Sequence, residues 1–299
     1  MINLPQIRIA IGGGVEIDTV DIGPRDGEAL IFLHGFPESH RSWRHQIAHL
    51  SKRHRCVAPD QRGYRGSSKP TGADAYAPGK MIGDVFRLAD ALGIDRFTVV
   101  GHDWGGAIAW GVALTGQGAR VTRAIIANAP HPAIFPRLVW TSPAQRAASQ
   151  YFRTFRDPGN DAEVRRHGLG PLLARVLPVS GPDRMEPAER AMLDADWANG
   201  EAALAMLAWY RASPVEVPPM DAPFALPDDF RALPVPKLTI PTLVIWAMDD
   251  HALPPENLAG LDAQIERLTI ERIADCGHFV PWEAPDAVNT ALDRFLAAT

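Results

Sequence analysis

The stretch richest in chemistry is Gly101-His102-Asp103-Trp104-Gly105-Gly106. It follows the apolar run Phe97, Thr98, Val99 and Val100 and leads into a helical pattern from Ala107 to Thr115. That order reads as a strand, a small-residue turn and a helix. In a G-x-S-x-G turn of this kind the middle side chain points into a cleft, and here Asp103 holds the middle with Gly101 and Gly105 beside it. Glycine lets strand and helix approach closely and accepts dihedrals that other residues resist. A carboxylate that attacked an ester or amide carbonyl would form a reactive anhydride. Attack on a saturated carbon bearing a leaving group instead gives a stable alkyl ester, which water then hydrolyses. Asp103 therefore points to epoxides or alkyl halides. The bland alternative is a cap on the helix that begins near Trp104.

A carboxylate nucleophile needs a base for the second step and a group to orient that base. The chain has 10 histidines, so position must decide. His278 sits in Asp275-Cys276-Gly277-His278-Phe279, just after the last expected strand, on a loop that would share a cleft with Asp103. The acid should follow the strand before it, where Ala247-Met248-Asp249-Asp250 supplies two candidates. The order nucleophile, acid, histidine together with the strand-end placement favours catalysis over a surface or core role for His278.

The elements that must hold these groups are legible along the chain. Gln6 to Ile11 and Val15 to Ile22 alternate in polarity around Gly12-Gly13-Gly14 and predict a hairpin. Ala29 to Leu33 is a continuous apolar run suited to a strand buried on both faces, and it ends in the turn His34-Gly35-Phe36-Pro37. Ser42 to Ser51 and Lys80 to Leu92 have helical spacing, with Cys56 to Ala58 as a strand between them. The strand into Asp103 and its helix follow, then a strand over Val121 to Asn128. From His131 to about Pro236 strand-like alternation disappears. Helix-like patches take its place at Ala144 to Phe155, Ala162 to Val176, Pro187 to Trp197 and Glu201 to Arg211. Strands resume at Pro241 to Ala247 and Leu268 to Ile273, and a helix over Ala284 to Leu296 follows. The pattern predicts an α/β fold: a mostly parallel sheet flanked by helices, with a helical cap over 132–236 inserted before the last two strands. Residues 1–131 and 237–299 form the sheet-containing core of this expectation.

Composition narrows the function. The 299 residues are 46% hydrophobic and 22% charged, with a net charge of −5, which suits a globular chain and gives no basic footprint for nucleic acid or an anionic membrane. No apolar stretch reaches membrane-spanning length. Met1 to Ala10 lacks the basic end and apolar core of a signal peptide. The two cysteines, Cys56 and Cys276, suggest neither a disulfide framework nor a metal site. A cytoplasmic setting and no metal or organic cofactor are expected. Gly12-Gly13-Gly14 is not a nucleotide fingerprint, since no helix follows it.

The chain resembles the α/β-hydrolase superfamily and, within it, the epoxide hydrolases. The resemblance runs nearly the whole length, through His34-Gly35-Phe36-Pro37, Gly101-His102-Asp103-Trp104-Gly105-Gly106, Trp246 to Asp250 and Gly277-His278-Phe279. It implies Asp250 as the acid, because the family's acid ends a W-G-x-x-D stretch, although this chain carries Ala247 at the usual glycine and Asp249 next to the acid. It also implies an oxyanion hole from the backbone N–H groups of Phe36 and Trp104, and a cis peptide before Pro37. Fixed donors of that kind stabilise the charge that appears when water adds to the ester. His34 is read as structural, as is the Asp60-Gln61-Arg62-Gly63 loop, and His131 as a hinge rather than a base.

Epoxide and halide differ in what the leaving group requires. Ring opening produces a basic alkoxide that needs a proton, and a phenol of pKa about 10 supplies one while staying protonated at neutral pH. A halide needs only weak N–H donors. Of the 4 tyrosines, Tyr151 and Tyr210 fall in the expected cap. Tyr151-Phe152 through Asp157-Pro158-Gly159 resembles the first cap-tyrosine motif of epoxide hydrolases, and Trp209-Tyr210-Arg211 the second. The alternative is that both phenols point from the cap into solvent. Haloalkane dehalogenases carry an asparagine where this chain has Phe36, and fluoroacetate dehalogenases carry arginines where it has Trp104 and Ala107. The expected activity is hydrolysis of a small apolar epoxide by water, with Phe36, Trp104, Tyr151 and Tyr210 around the substrate. Dehalogenation on the same nucleophile and a non-catalytic ligand-binding protein are the alternatives.

Overall fold

The computed structural model describes residues 2–177, 185–232 and 234–299. Among the described residues, eight strands form one sheet: β1 (Gln6–Ala10), β2 (Glu16–Ile22), β3 (Ala29–Leu33), β4 (Arg55–Pro59), β5 (Phe97–His102), β6 (Val121–Ala127), β7 (Thr242–Ala247) and β8 (Leu268–Ile273). Their spatial order is β1-β2-β4-β3-β5-β6-β7-β8. The β1–β2 and β2–β4 pairings are antiparallel and the others parallel.

The parallel strands are apolar without interruption because helices cover both faces. In β3 the side chains alternate between two cores: Ile31 and Leu33 face one, Leu30 and Phe32 the other. The first core includes residues of α2 (Pro78–Ala91) and α3 (Asp103–Gly116). The second is closed by α1 (Arg44–Leu50) and by the last helix, through Ile47, Leu50, Val288, Leu292 and Phe295.

Among the described residues, seven α-helices lie between β6 and β7: α4 (Phe135–Thr141), α5 (Pro143–Ala148), α6 (Tyr151–Arg156), α7 (Asp161–His167), α8 (Gly170–Val176), α9 (Pro187–Ala198) and α10 (Gly200–Ala212). After β7 come α11 (Leu261–Gln264), α12 (Val280–Glu283) and α13 (Pro285–Ala298). The inserted helices lie against the loops that follow β3 and β4. Trp197 Nε1 donates to the carbonyl of Pro37 at 2.8 Å and Trp209 Nε1 to that of Arg62 at 3.0 Å. Arg41 pairs with Glu189.

Two of the expected helical patches are each split. The patch from Ala144 to Phe155 breaks at Ser149, whose hydroxyl accepts from Gln145 Nε2 while its N–H is shared by the carbonyls of Gln145 and Arg146. The patch from Ala162 to Val176 breaks at Gly168, where φ is +76° and an added Cβ would lie 2.2 Å from the Trp197 carbonyl oxygen. Only glycine accepts both that dihedral and that approach. Residues 135–141 form a helix that the spacing did not single out.

Two buried histidines make the fold acid-sensitive. His34 Nε2 accepts the N–H of Gln61 at 3.0 Å while Nδ1 lies 2.9 Å from the Gly35 carbonyl, an arrangement that suits the neutral ring. Burial pushes both His34 and His131 down to about 4. The unfolded chain binds these protons below its ordinary histidine pKa and the native chain does not. Stability should therefore fall as pH drops from about 6.5 toward 4, by about 1.4 kcal/mol per pH unit for each histidine. A thermal-unfolding series across that window checks this, and a Tm that stays flat would contradict it.

Candidate active site

Five strand ends converge. The loop after β3 carries Phe36, β5 runs straight into Asp103, and the loops after β6, β7 and β8 carry Asn128, Asp250 and His278. These are the carboxyl ends of parallel strands, where clefts form in open sheets of this kind. Asp103 is the first residue of α3 and has φ +51°, which turns the strand sharply into the helix. The turn tolerates nothing larger than hydrogen at its neighbours. A Cβ on Gly105 would lie 2.2 Å from the Leu33 carbonyl oxygen, and one on Gly35 would lie 2.5 Å from Asp103 Cβ.

Asp103 is held on both sides. Its Oδ1 accepts the backbone N–H of Phe36 at 2.7 Å, and its Oδ2 lies 3.5 Å from His278 Nε2. The Phe36–Pro37 peptide is cis. The N–H of Trp104 lies in the first turn of α3, where amides have no acceptor further back in the helix. Burial disfavours the Asp103 carboxylate, but the His278 ring and the Phe36 amide outweigh it and hold the pKa below the usual range.

On the far side of the imidazole, His278 Nδ1 lies 2.8 Å from Asp250 Oδ2. Asp250 is buried and anchored by the N–H groups of Ala252 and Leu253 on Oδ1, at 2.8 and 3.0 Å. Asn128 Nδ2 donates to Asp250 Oδ2 at 2.7 Å, and Asn128 Oδ1 accepts the Ala247 N–H. The neighbouring Asp249 is exposed, and its own backbone N–H bonds to the Cys276 carbonyl. Burial works against a charged His278, but Asp250 and Asp103 on either side raise its pKa well above the ordinary histidine value.

Tyr151, on α6, and Tyr210, on α10, line the same cavity of about 650 Å³ as Asp103 and His278. Tyr210 is 2% exposed. Its ring meets Phe36 edge-on at a centroid distance of 4.9 Å and Trp104 at 5.1 Å, and the Tyr151 ring is 5.9 Å away. Such aromatic pairs contribute about 0.5–1.5 kcal/mol each beyond area burial, which fixes the ring in one place. Burial raises both phenols well above 10; for Tyr210, nearby Tyr151 and Asp103 add to it and a Trp104 hydrogen bond opposes it. Leu173, Val176, Leu193 and Trp197 supply apolar wall.

A family model for the alpha/beta hydrolase fold matches residues 28–285. A solved structure described as a novel epoxide hydrolase of the alpha/beta hydrolase superfamily, from metagenomes of hot environments, is 63% identical. The alignment covers 99% of this chain and 100% of that one, with a TM-score of 0.97. The chain belongs to the epoxide hydrolase family of the α/β-hydrolase superfamily. Other relatives agree with that membership. An inhibitor complex of the Bacillus megaterium epoxide hydrolase is 30% identical, covers 98% of this chain and 100% of that one, and superposes with a TM-score of 0.83. Epoxide hydrolase 2 of Caenorhabditis elegans is 28% identical over 296 residues, which is 94% of this chain and 77% of the relative.

Four side chains of this epoxide hydrolase family member are brought to the site without having been singled out for it from sequence. In the sequence Asn128 is only the last residue of the expected strand from Val121. Glu283 accepts the N–H groups of Gly277 at 3.1 Å and Phe279 at 2.9 Å, bracketing His278. His102 Nε2 lies 2.8 Å from the His278 carbonyl oxygen, and Glu38 lines the cavity beside it. Only His102 carried a local signal, as the residue before the central aspartate of the glycine turn. No helix among the described residues is long and apolar enough to cross a membrane.

Proposed function

We propose that this chain hydrolyses an epoxide to a vicinal diol through a covalent ester on Asp103. The observation that carries the reading is a carboxylate at the strand–helix turn, between the Phe36 amide and His278 and in one cavity with two phenols. Residues 132–236 act as a cap domain on a core of 1–131 and 237–299. The cap brings the phenols and apolar wall that suit a small apolar epoxide.

Asp103 attacks one ring carbon, the C–O bond breaks, and Tyr151 and Tyr210 hydrogen-bond the oxygen, one of them giving its proton to the forming alkoxide. Alkylation turns Asp103 into a neutral ester, so His278 loses one of the two negative neighbours that raise its pKa. The proton it then releases balances the one the phenol gave up. Neutral His278, oriented by Asp250, takes a proton from water as that water adds to the ester carbonyl. The resulting oxyanion on the Asp103 side chain is stabilised by the amides of Phe36 and Trp104. Collapse releases the diol as the His278 proton passes to its departing oxygen, and the second water proton, left on the Asp103 carboxyl, returns to His278 and restores the carboxylate. No metal or organic cofactor enters this scheme.

The test follows the oxygen atoms. With enzyme in excess over a terminal aryl or alkyl epoxide in water labelled with ¹⁸O, the first diol formed should carry unlabelled oxygen from Asp103, and the label should enter the protein. Label in the diol on the first turnover would exclude the ester. Halide release from haloalkanes without diol formation from any epoxide would replace the reading by dehalogenation.

A further inference from the structure

Two buried polar atoms beneath His278 lack partners and face each other. His102 Nδ1 and Glu38 Oε2 are 3.6 Å apart, and neither makes another hydrogen bond. The rest of each side chain is committed. His102 Nε2 is 2.8 Å from the His278 carbonyl oxygen, which only accepts, so the ring carries its proton on Nε2 and donates it there. Glu38 Oε1 accepts the indole N–H of Trp282 at 2.7 Å. With Glu38 ionised and His102 neutral, two buried acceptors would confront each other, an arrangement that leaves both unsatisfied. One additional proton between them turns the clash into a single hydrogen bond.

We propose that Glu38 and His102 hold one buried proton between them, and that this pair is a positioning device for His278. Through Nε2–H it fixes the His278 carbonyl, while Glu283 fixes the amides on either side and Asp250 fixes the ring. The base thus keeps its place when Asp103 is alkylated and its contact with the carboxylate disappears. This rests on the reading of His278 as the base of the second step.

The surroundings agree with a proton held on the pair. Burial pushes Glu38 up to about 7, against the opposing influence of Trp282, Ser42, His278 and Arg44. Burial and nearby His278 push His102 down to about 4, opposed by Asp103, the His278 carbonyl and Asp250. Tyr64, which also interacts with Glu38, stays neutral, and Arg41, Arg44, Arg65, Glu189 and Asp196 share a small pocket with Glu38. Glu38 is raised, so its contribution is complete at acid pH and is lost as pH rises through about 7.

Glu38→Gln and Glu38→Leu separate the roles. A glutamine amide can accept from Trp282 and donate to His102 with no proton to lose, whereas leucine can do neither. Single-turnover measurements would follow formation and breakdown of the alkyl-enzyme across neutral pH. Glu38→Leu should slow breakdown by roughly 10²-fold, the scale of a misplaced catalytic group, and leave formation nearly intact. Glu38→Gln should restore breakdown and abolish its decline above neutrality, which the phenols, protonated well above 10, do not explain. A Gln variant as slow as Leu, or one with the wild-type decline, would overturn the proposal, and the Gln result stands even if the Leu variant fails to fold. Wild-type protein that forms no diol would instead refute the proposed function.

Discussion

His278→Gln will gain the mass of its substrate. Incubated with an epoxide, the variant should accumulate a protein heavier by one substrate molecule, with the addition on Asp103, while turnover falls by roughly 10²–10⁴-fold. Ring opening does not need a base, so the ester still forms. Without an acceptor for the proton of water, it persists. Intact-mass spectrometry followed by peptide mapping reads both quantities. Asp103→Asn is the control, since it lacks the nucleophile and should stay unmodified. An unmodified His278 variant with normal turnover would remove this residue from the mechanism, and an adduct elsewhere would move the nucleophile.

The second large effect belongs to the phenols. In the Tyr151→Phe, Tyr210→Phe double variant, alkyl-enzyme formation should slow by roughly 10²–10⁴-fold, because the alkoxide leaves without a proton. The rings remain, so the packing of Tyr210 among Phe36, Trp104, Phe152 and Phe155 is retained. Loss of two hydroxyls then costs stability only at the level of one or two hydrogen bonds, about 1 kcal/mol each. Rapid-quench measurement of ester formation, paired with a thermal melt, distinguishes lost chemistry from lost fold. Ring opening at the wild-type rate would show that the proton comes from another source.

What could be read before the fold was known depended on how local the signal was. The glycine turn around Asp103 and the apolar runs of β3, β5 and β7 are local patterns, and each corresponds to an observed element. His278 was recognisable because the loop after a strand in a parallel sheet has one place to go. Asp250 and Asp249 are adjacent in sequence, and only the resemblance, through the last position of the W-G-x-x-D stretch, favours Asp250. Burial and the 2.8 Å approach to His278 distinguish them. The contacts of Glu38, His102 and Glu283 were out of reach for a different reason. His102 bonds to a carbonyl 176 residues away, and no periodicity records such a contact. The breaks at Ser149 and Gly168 were equally hidden, since a helix pattern can continue through residues whose hydrogen bonds or neighbours stop it.

The route of the chain, which leaves the sheet after β6 and re-enters at β7, creates a division of labour. Under the proposed scheme the proton donors for the opening step arrive on the excursion, while the nucleophile and the water-splitting pair stay on the sheet. Sequence drift in the excursion can reshape which molecules are admitted and which carbon is exposed. The machinery that clears the ester is left untouched, so one half of the catalyst can be retuned while the other is inherited whole.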